Sequence, residues 1–272
     1  MVNDSIKIVN LPNFLFPYDT KDLIRIGNTQ DGSYLIGKNS LLDSNLLISI
    51  GVGWSFDFEK SFLKINKVPL LAFDGSAGII STLKKIKFRL KQIFIKKDFK
   101  YFLDSLYYFS YLFKFYLFFK NFRNFRLNGN YRKFVKKFVG TKHSEISILS
   151  ILEKFDPSST FDKIFFQIDI EGGEYSILSE LLNHQNKIIG LVIEFHEIQE
   201  HLEEIKKFIE LFSLKLIHTH INNVGGLTSN DCPKVVELTF AKCNVNNKVL
   251  SLPHSLDKPN SKKHLNYAAH LS

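Results

Sequence analysis

Acids and imidazoles stand at the ends of three consecutive apolar runs in the second half of the chain. They occur in the segments Asp169-Ile-Glu-Gly-Gly-Glu, Glu194-Phe-His and His218-Thr-His-Ile-Asn-Asn. If each run is a strand of one parallel sheet, the carboxyl ends of the strands meet at one edge. A hydroxyl substrate needs a base there to remove its proton. The sequence predicts Asp169, Glu171, His196 and His220 as catalytic residues, with the imidazoles as bases because their unperturbed pKa is about 6.5.

The same segments allow a second chemistry, which is the binding of a divalent cation. Carboxylate, imidazole and carboxamide groups are suitable ligands for Mg²⁺ or Mn²⁺. Asp169, Glu194, His220 and Asn222 are the candidate ligands. Glu174 is predicted to have a structural role instead, because a negative charge in the first turn of a helix interacts favourably with the helix dipole.

A glycine-rich corner follows the first long apolar run, in the sequence Ile48-Ser-Ile-Gly-Val-Gly. Glycine leaves the backbone open to a ligand that crosses the end of a strand. Asp74 ends the next apolar run, at the separation of about 20 residues at which an acid binds ribose hydroxyls in such folds. Phe56 stands where a dinucleotide-binding turn has its third glycine, which disfavours a pyrophosphate ligand. Gly51, Gly53 and Asp74 are therefore predicted to bind a nucleoside without phosphate, such as S-adenosylmethionine.

Apolar runs alternate with amphipathic stretches along most of the chain, which is typical of βα units around a parallel sheet. The last two runs are joined without a helix, which indicates an antiparallel hairpin. The predicted fold class is α/β, a Rossmann-like seven-stranded methyltransferase fold that ends in this hairpin. The predicted strands are 46–50, 69–73, 134–139, 164–170, 188–195, 214–220 and 235–241. The predicted helices are 56–64, 145–154, 174–182 and 198–212.

One segment between the second and third predicted strands differs in composition from the rest. Residues 84–142 contain 17 Lys and Arg, two acids and 19 of the 38 aromatic residues. The net charge of +9 therefore comes from this segment, and the remainder of the chain is mildly acidic. We assign residues 1–80 and 134–272 to a methyltransferase domain, and residues 81–133 to a helical basic and aromatic insertion between strands 2 and 3.

The insertion has four interpretations. Its apolar part, residues 101–122, has about the length of a membrane-spanning helix. Lys114 near its middle argues against a span, because a lysine at the bilayer centre costs about 2.5–3.5 kcal/mol. The remaining interpretations are a helical subdomain packed on itself, helices lying on a membrane surface, and an arm that binds nucleic acid. Nucleic acid is the less favoured partner, because no Asn-Pro-Pro-Tyr-like element for base methylation is present.

Two features bear on the cellular compartment. The first ten residues are polar and lack the apolar segment of a secretory signal. Cys232 and Cys243 have neither metal-ligand nor CxxC spacing, which is typical of a reducing compartment. We predict a cytoplasmic protein, with contact at the inner membrane surface left open by the insertion.

Several segments match elements of a known family. They are Arg25-Ile-Gly, Asp31-Gly-Ser-Tyr-Leu-Ile, Ile48-Ser-Ile-Gly-Val-Gly, Ser55-Phe-Asp-Phe-Glu-Lys, Phe165-Phe-Gln-Ile-Asp-Ile-Glu-Gly-Gly-Glu-Tyr, His218-Thr-His-Ile-Asn-Asn and Val235-Val-Glu-Leu-Thr-Phe. The segment around Asp169 is similar to the "KIDVEGAE" element of the FkbM family of methyltransferases. The chain departs from that element at Gln167, where the family usually has lysine. Ser49 also stands where many methyltransferases carry an acid.

The resemblance implies S-adenosylmethionine as methyl donor and O-methylation of a hydroxyl, often on a sugar or a polyketide-type acceptor. By position, the resemblance implies that Gly51, Gly53 and Asp74 contact the cofactor and that Asp31 lies near it. It also implies that the acceptor faces Asp169, Glu171 and His196.

The sequence thus predicts an S-adenosylmethionine-dependent O-methyltransferase for a sugar, a glycan precursor or a similar small molecule. Two alternatives follow from the insertion. One is a nucleic-acid methyltransferase that uses the basic segment as a binding arm. The other is a non-catalytic protein that binds a membrane surface.

Overall fold

The computed structural model describes residues 6–27, 33–53, 56–76, 79–96, 98–119, 132–156 and 158–271. Strands and helices alternate through most of this part of the chain. The strands are β1 (Ile6–Ile8), β2 (Leu23–Ile26), β3 (Tyr34–Gly37), β4 (Leu46–Ile50), β5 (Leu70–Phe73), β6 (Arg132–Val135), β7 (Ile164–Ile168), β8 (Ile188–Phe195), β9 (Lys215–Ile221), β10 (Val236–Ala241), β11 (Ser251–Leu252) and β12 (Asn266–His270). The α-helices are α1 (Lys38–Asp43), α2 (Asp57–Ile65), α3 (Ile79–Lys96), α4 (Lys100–Phe119), α5 (Ile148–Phe155), α6 (Leu178–Asn183) and α7 (Leu202–Leu211).

The strands β4 to β10 form a seven-stranded central sheet in the order β6-β5-β4-β7-β8-β10-β9. Neighbouring strands are parallel, except that β10 is antiparallel to both β8 and β9. The chain changes direction across the sheet between β4 and β7, which is where a crevice opens at the carboxyl ends of the strands. The predicted Rossmann-like α/β sheet with a final antiparallel hairpin is confirmed.

Two strands end earlier than predicted. β6 ends at Val135 rather than at residue 139, because the chain leaves the sheet there and Val139 forms an isolated bridge with a later loop. β7 ends at Ile168 rather than at residue 170, because the chain turns at Glu171, whose φ of 53° is left-handed. The apolar pattern continues past the strand in this case, since Ile170 packs against the core from the turn.

Both faces of the central sheet are covered, which explains why its strands read as continuous apolar runs rather than as alternating patterns. On one face, α5, α6 and α7 contribute Ile151, Leu181 and Phe208 to the larger core. On the other face, Phe62 of α2 meets the ring of Phe165 at 5.1 Å between centroids. Burial of each such side chain stabilises the fold by roughly 1.5–3 kcal/mol.

Two small sheets lie outside the predicted architecture. β2 and β3 form an antiparallel pair, and β1, β12 and β11 form a three-stranded sheet. The Thr239 hydroxyl of β10 donates to the carbonyl oxygen of Leu35 at 2.7 Å, which holds β3 against the central sheet. The segment before β12 is held by Asn223, whose side-chain amide donates to the carbonyl oxygen of Ser261 at 2.8 Å. Strands of two to five residues are too short for a periodic pattern to predict them.

The helices α3 and α4 pack against each other between β5 and β6 in the chain. Arg89 of α3 pairs with Asp104 of α4 at 3.5 Å between Nε and Oδ2. Tyr111 of α4 is buried, and its hydroxyl donates to the carbonyl oxygen of Gly53 at 3.2 Å. The α4 helix therefore packs directly on the glycine-rich turn after β4, at Gly51 and Gly53. None of the described helices is both long and apolar enough to cross a bilayer.

Candidate functional site

The connection from β4 to α2 forms the glycine corner at Gly51 and Gly53, where φ is 84° and 57°. A Cβ on Gly51 would lie 1.5 Å from the carbonyl oxygen of Asp169, so no side chain fits at this position. Among the described residues, a Cβ on Gly53 would meet only the Gly51 carbonyl oxygen, at 3.9 Å, so none of them crowds this backbone. Close packing requires the first glycine, and a left-handed conformation favours the second. A ligand can approach the backbone at Gly53.

Asp74 follows β5 and is bonded to the same corner. Its Oδ2 accepts a hydrogen bond from the backbone N–H of Gly53 at 2.7 Å. Its Oδ1 accepts from the backbone N–H of Ser76 at 2.6 Å and from the Ser76 hydroxyl at 2.8 Å. The structure therefore places Gly51, Gly53 and Asp74 side by side, while Asp31 lies outside the described residues.

A buried carboxyl group that sequence reasoning missed lies behind the corner. Glu59 of α2 is 2% exposed, and its Oε1 contacts the Ser49 hydroxyl, which also contacts Oε1 of Gln167. One hydroxyl proton cannot serve two acceptors, so a protonated Glu59 that donates to Ser49 satisfies both contacts. Burial raises the pKa of Glu59 to about 7, although the Ser49 hydrogen bond lowers it.

The signal for Glu59 was present in the sequence. It lies among the apolar side chains of the buried face of α2, between Phe58 and Phe62, where a charged residue is unusual. The helix thereby brings a carboxyl group to Ser49, the position at which many methyltransferases carry an acid.

A cavity of about 890 Å³ opens at the carboxyl edge of the sheet. Its wall contains the glycine corner and Asp74 on β4 and β5, and Asp169 and Glu171 after β7. The α4 helix contributes Tyr107 to the same wall. The predicted cofactor residues and two of the predicted catalytic residues therefore share one cavity.

Four carboxylates surround the imidazole of His196, which follows β8. Its Nδ1 lies 2.8 Å from Oε1 of Glu174. Its Nε2 lies 3.5 Å from Oε2 of Glu171, 3.8 Å from Oε1 of Glu194 and 4.0 Å from Oδ1 of Asp169. His196 does not line the cavity itself, but its Nε2 lies close to Asp169 and Glu171, which do. The structure thus brings three of the four predicted catalytic residues together.

Glu174 has a larger role than the sequence predicted. Its side chain is fully buried, and its Oε1 also accepts from the backbone N–H groups of Ile170 at 3.3 Å and Gly172 at 3.2 Å. It therefore holds the turn after β7 and fixes the orientation of the His196 ring. Burial lowers the pKa of His196, but the hydrogen bond and charge of Glu174 and the neighbouring carboxylates outweigh it and raise that pKa above its ordinary value.

His220 belongs to a second network, on β9 and the C-terminal segment. Its Nε2 lies 2.8 Å from Oδ1 of Asn260, and its Nδ1 lies 3.2 Å from Oδ1 of Asp257. Asn260 in turn donates to Oε1 of Glu237 at 2.8 Å. Burial lowers the pKa of His220, but Glu237 and Asp257 outweigh it and raise that pKa to about 9. A histidine protonated at neutral pH cannot accept a proton, so this arrangement argues against the predicted role of His220 as a base.

The cation ligands predicted from the sequence are not assembled as a group. The side-chain amide of Asn222 donates to Oε1 of Glu194 at 2.8 Å, so its nitrogen rather than its oxygen faces this carboxylate. His220 lies in the second network. Within the described residues, the His and acid side chains whose ligand atoms all lie within 4.8 Å of one another are Asp169, Glu171 and His196. This group replaces the predicted set of Asp169, Glu194, His220 and Asn222.

Comparison with known proteins gives distant structural likenesses. No protein-family model and no curated protein matches the sequence, so membership of the FkbM family stays a prediction. The human methyltransferase 10 domain containing protein is 12% identical with a TM-score of 0.38, over 73% of this chain and 72% of that one. The METTL16 MTase domain is 13% identical with a TM-score of 0.39, over 75% and 64%. Precorrin-6y C5,15-methyltransferase from Geobacter metallireducens is 11% identical with a TM-score of 0.36, over 87% and 100%. These values are low, so the site geometry alone is the ground for a function.

Proposed function

We propose that the chain is an S-adenosylmethionine-dependent O-methyltransferase that acts on a hydroxyl of a sugar, a glycan precursor or a similar small molecule. One observation carries this proposal: a single cavity joins the glycine corner and Asp74 to Asp169 and Glu171. Its volume of about 890 Å³ is within the range of about 300–1,000 Å³ for small-molecule sites. Donor and acceptor need such a shared space, because the transferred group passes directly between them.

The donor end of the cavity suits a nucleoside without phosphate. Gly53 presents bare backbone next to the Asp74 carboxylate, which can accept hydrogen bonds from ribose hydroxyls. The third glycine of a pyrophosphate-binding turn is replaced by Phe56, which is buried against the ring of Tyr111. When bound, S-adenosylmethionine supplies a methyl group on a positively charged sulfur.

At the acceptor end, His196 is the final acceptor of the hydroxyl proton, which reaches Nε2 of the ring through Asp169 or Glu171. Its Nδ1–H donates to Glu174, so the neutral ring keeps its lone pair on Nε2, on the side of Asp169 and Glu171. The buried carboxylate of Glu174 stabilises the imidazolium that forms when the proton is taken up. Asp169 and Glu171 lie between this ring and the cavity and are placed to bind the acceptor hydroxyl.

The group Asp169, Glu171 and His196 also supports a cation-dependent version of the reaction. A divalent cation bound there would lower the pKa of the acceptor hydroxyl without a base. Methyl transfer that is lost in EDTA and restored by Mg²⁺ or Mn²⁺ would show that the reaction depends on a divalent cation. Transfer that is unchanged in EDTA supports proton removal by His196.

Isothermal titration with S-adenosylhomocysteine tests the donor site. We expect saturable binding to the wild-type chain and binding at least about tenfold weaker for Asp74→Asn, because a hydrogen bond to a charged group contributes about 1.5–3 kcal/mol. Asp43→Asn is the matched control, since Asp43 is an exposed acid on α1 outside the cavity. The control should bind like wild type.

Two results would count against the donor site. One is the absence of binding at millimolar ligand to the folded wild-type chain. The other is unchanged affinity of Asp74→Asn when its melting curve shows a folded protein.

A further inference from the structure

The two packed helices α3 and α4 with the residues that join them, here called the hairpin, carry more than half of the large apolar side chains that are exposed among the described residues. Of the 22 large apolar side chains that are exposed among the described residues, 12 lie between Leu83 and Tyr116. Phe99 and Phe113 are 68% and 65% exposed. Apolar surface that is concentrated in this way marks a region of interaction rather than the scattered exposure found on most proteins.

On α4 the exposed side chains form a continuous apolar stripe. The stripe consists of Phe102, Leu106, Phe109 and Phe113, which are 40%, 49%, 50% and 65% exposed. Their spacing of four, three and four residues places them on one side of the helix. At a rise of about 1.5 Å per residue, the stripe is roughly 16 Å long. Tyr111 points to the opposite side and is buried against the protein.

The hairpin is also strongly basic. Its described residues include seven exposed lysines, against Asp98 as the single exposed acid. Those lysines are Lys84, Lys85, Lys87, Lys91, Lys96, Lys100 and Lys114. The second acid, Asp104, is paired with Arg89. On α3 the exposed apolar residues Phe88 and Ile95 alternate with the lysines.

We propose that the hairpin docks on the surface of an anionic lipid bilayer. Phe and Leu side chains of an interfacial helix enter the boundary between headgroups and acyl chains, while lysines contact anionic headgroups. In the docked state the hairpin lies along the surface, with the apolar stripe toward the acyl chains. A second copy of the chain is disfavoured because it would bring two basic hairpins together. Single-stranded nucleic acid accounts for the lysines and can stack on phenyl rings, but it does not account for the aliphatic side chains of Leu90, Ile95 and Leu106 that are exposed among them.

Docking would place the cavity next to the bilayer. Tyr107 of α4 lines the cavity and is 54% exposed, and it lies one residue from Leu106 of the apolar stripe. On the basis of the proposed methyl transfer, the acceptor class is then a hydroxyl compound carried on a lipid. Vesicle binding does not require the donor, so failure of docking and failure of methyl transfer are distinguishable.

Co-sedimentation with vesicles tests the docking surface. The full chain is mixed with vesicles of neutral phosphatidylcholine, or of phosphatidylcholine with phosphatidylglycerol. We expect binding to the anionic vesicles at least about tenfold tighter than to the neutral ones, weakening as salt is raised. The triple variant Phe102→Ser, Phe109→Ser and Phe113→Ser should reduce binding by about tenfold or more.

The matched control removes three exposed leucines elsewhere, in the variant Leu149→Ser, Leu211→Ser and Leu250→Ser, and should bind like wild type. If the phenylalanine variant fails to fold, Lys87→Glu with Lys91→Glu tests the charge, with Lys262→Glu and Lys263→Glu as its control. Equal binding to neutral and anionic vesicles would overturn the proposal. So would tighter binding to single-stranded RNA than to anionic vesicles. A chain that becomes monomeric in the phenylalanine variant while still binding vesicles would also overturn it.

Discussion

Replacement of Glu59 by glutamine should change how the stability of the protein depends on pH. Glu59 is fully buried behind the glycine corner, where burial raises the pKa of its carboxyl from 4.5 to about 7. A group with a raised folded-state pKa stabilises the fold below its unfolded pKa, and this contribution is lost as the pH rises through the folded pKa. The pH window for Glu59 is therefore about 4.5 to 7. Glutamine keeps the shape and a donor toward Ser49 but does not titrate.

The size of the effect follows from the shift. A rise from 4.5 to about 7 corresponds to roughly 3 kcal/mol of unfolding free energy, since one pKa unit is about 1.4 kcal/mol. Part of this loss has already occurred at pH 5, so the change between pH 5 and pH 8 is roughly 2–3 kcal/mol. The unfolding free energy of Glu59→Gln minus that of wild type should rise by this amount over the interval.

Urea unfolding of both proteins at several pH values between 5 and 8 measures this difference. Titration of the other acids and histidines affects both proteins and cancels when they are subtracted. Glu203→Gln is the control, because Glu203 is exposed on α7 and its replacement should leave the difference flat. A flat difference for Glu59→Gln as well would show that this carboxyl does not carry its proton in the fold, and the Ser49 arrangement would have to be reassigned.

Two further predictions concern neighbouring parts of the site. Glu174→Gln should lower the pKa of His196, because a neutral acceptor replaces a charged one. NMR titration of labelled histidine, with His196→Asn for assignment, measures this pKa. An unchanged pKa in the folded variant would refute the role of Glu174 at the His196 ring. Gly51→Ala should abolish folding or cost more than about 4 kcal/mol of unfolding free energy. Gly226→Ala, with positive φ but no atom of the described residues within 4 Å of the new Cβ, should cost about 1–2 kcal/mol. Urea unfolding compares the two, and equal costs would exclude the close approach of the Asp169 carbonyl.

The sequence predicted the central sheet well because burial on both faces demands continuous apolar strands. The bounds of β4 and β8 agree with the prediction. The antiparallel pairing of β9 and β10 follows from the absence of a helix between these two strands. The glycine corner, Asp74 and the acids after β7 were found for a related reason. Topology alone places the carboxyl ends of neighbouring parallel strands at one edge.

What the sequence could not determine is which of the polar groups at that edge share a local environment. His196 stands just after β8 and His220 near the end of β9, and in the sequence alone the two histidines look equivalent. Only the fold brings Asp257 and Asn260 from a distant C-terminal segment onto His220, and Glu174 from the adjacent turn onto His196. Orientation, burial and charge at an imidazole depend on neighbours far apart in the chain, and a pattern of nearby residues contains no information about them.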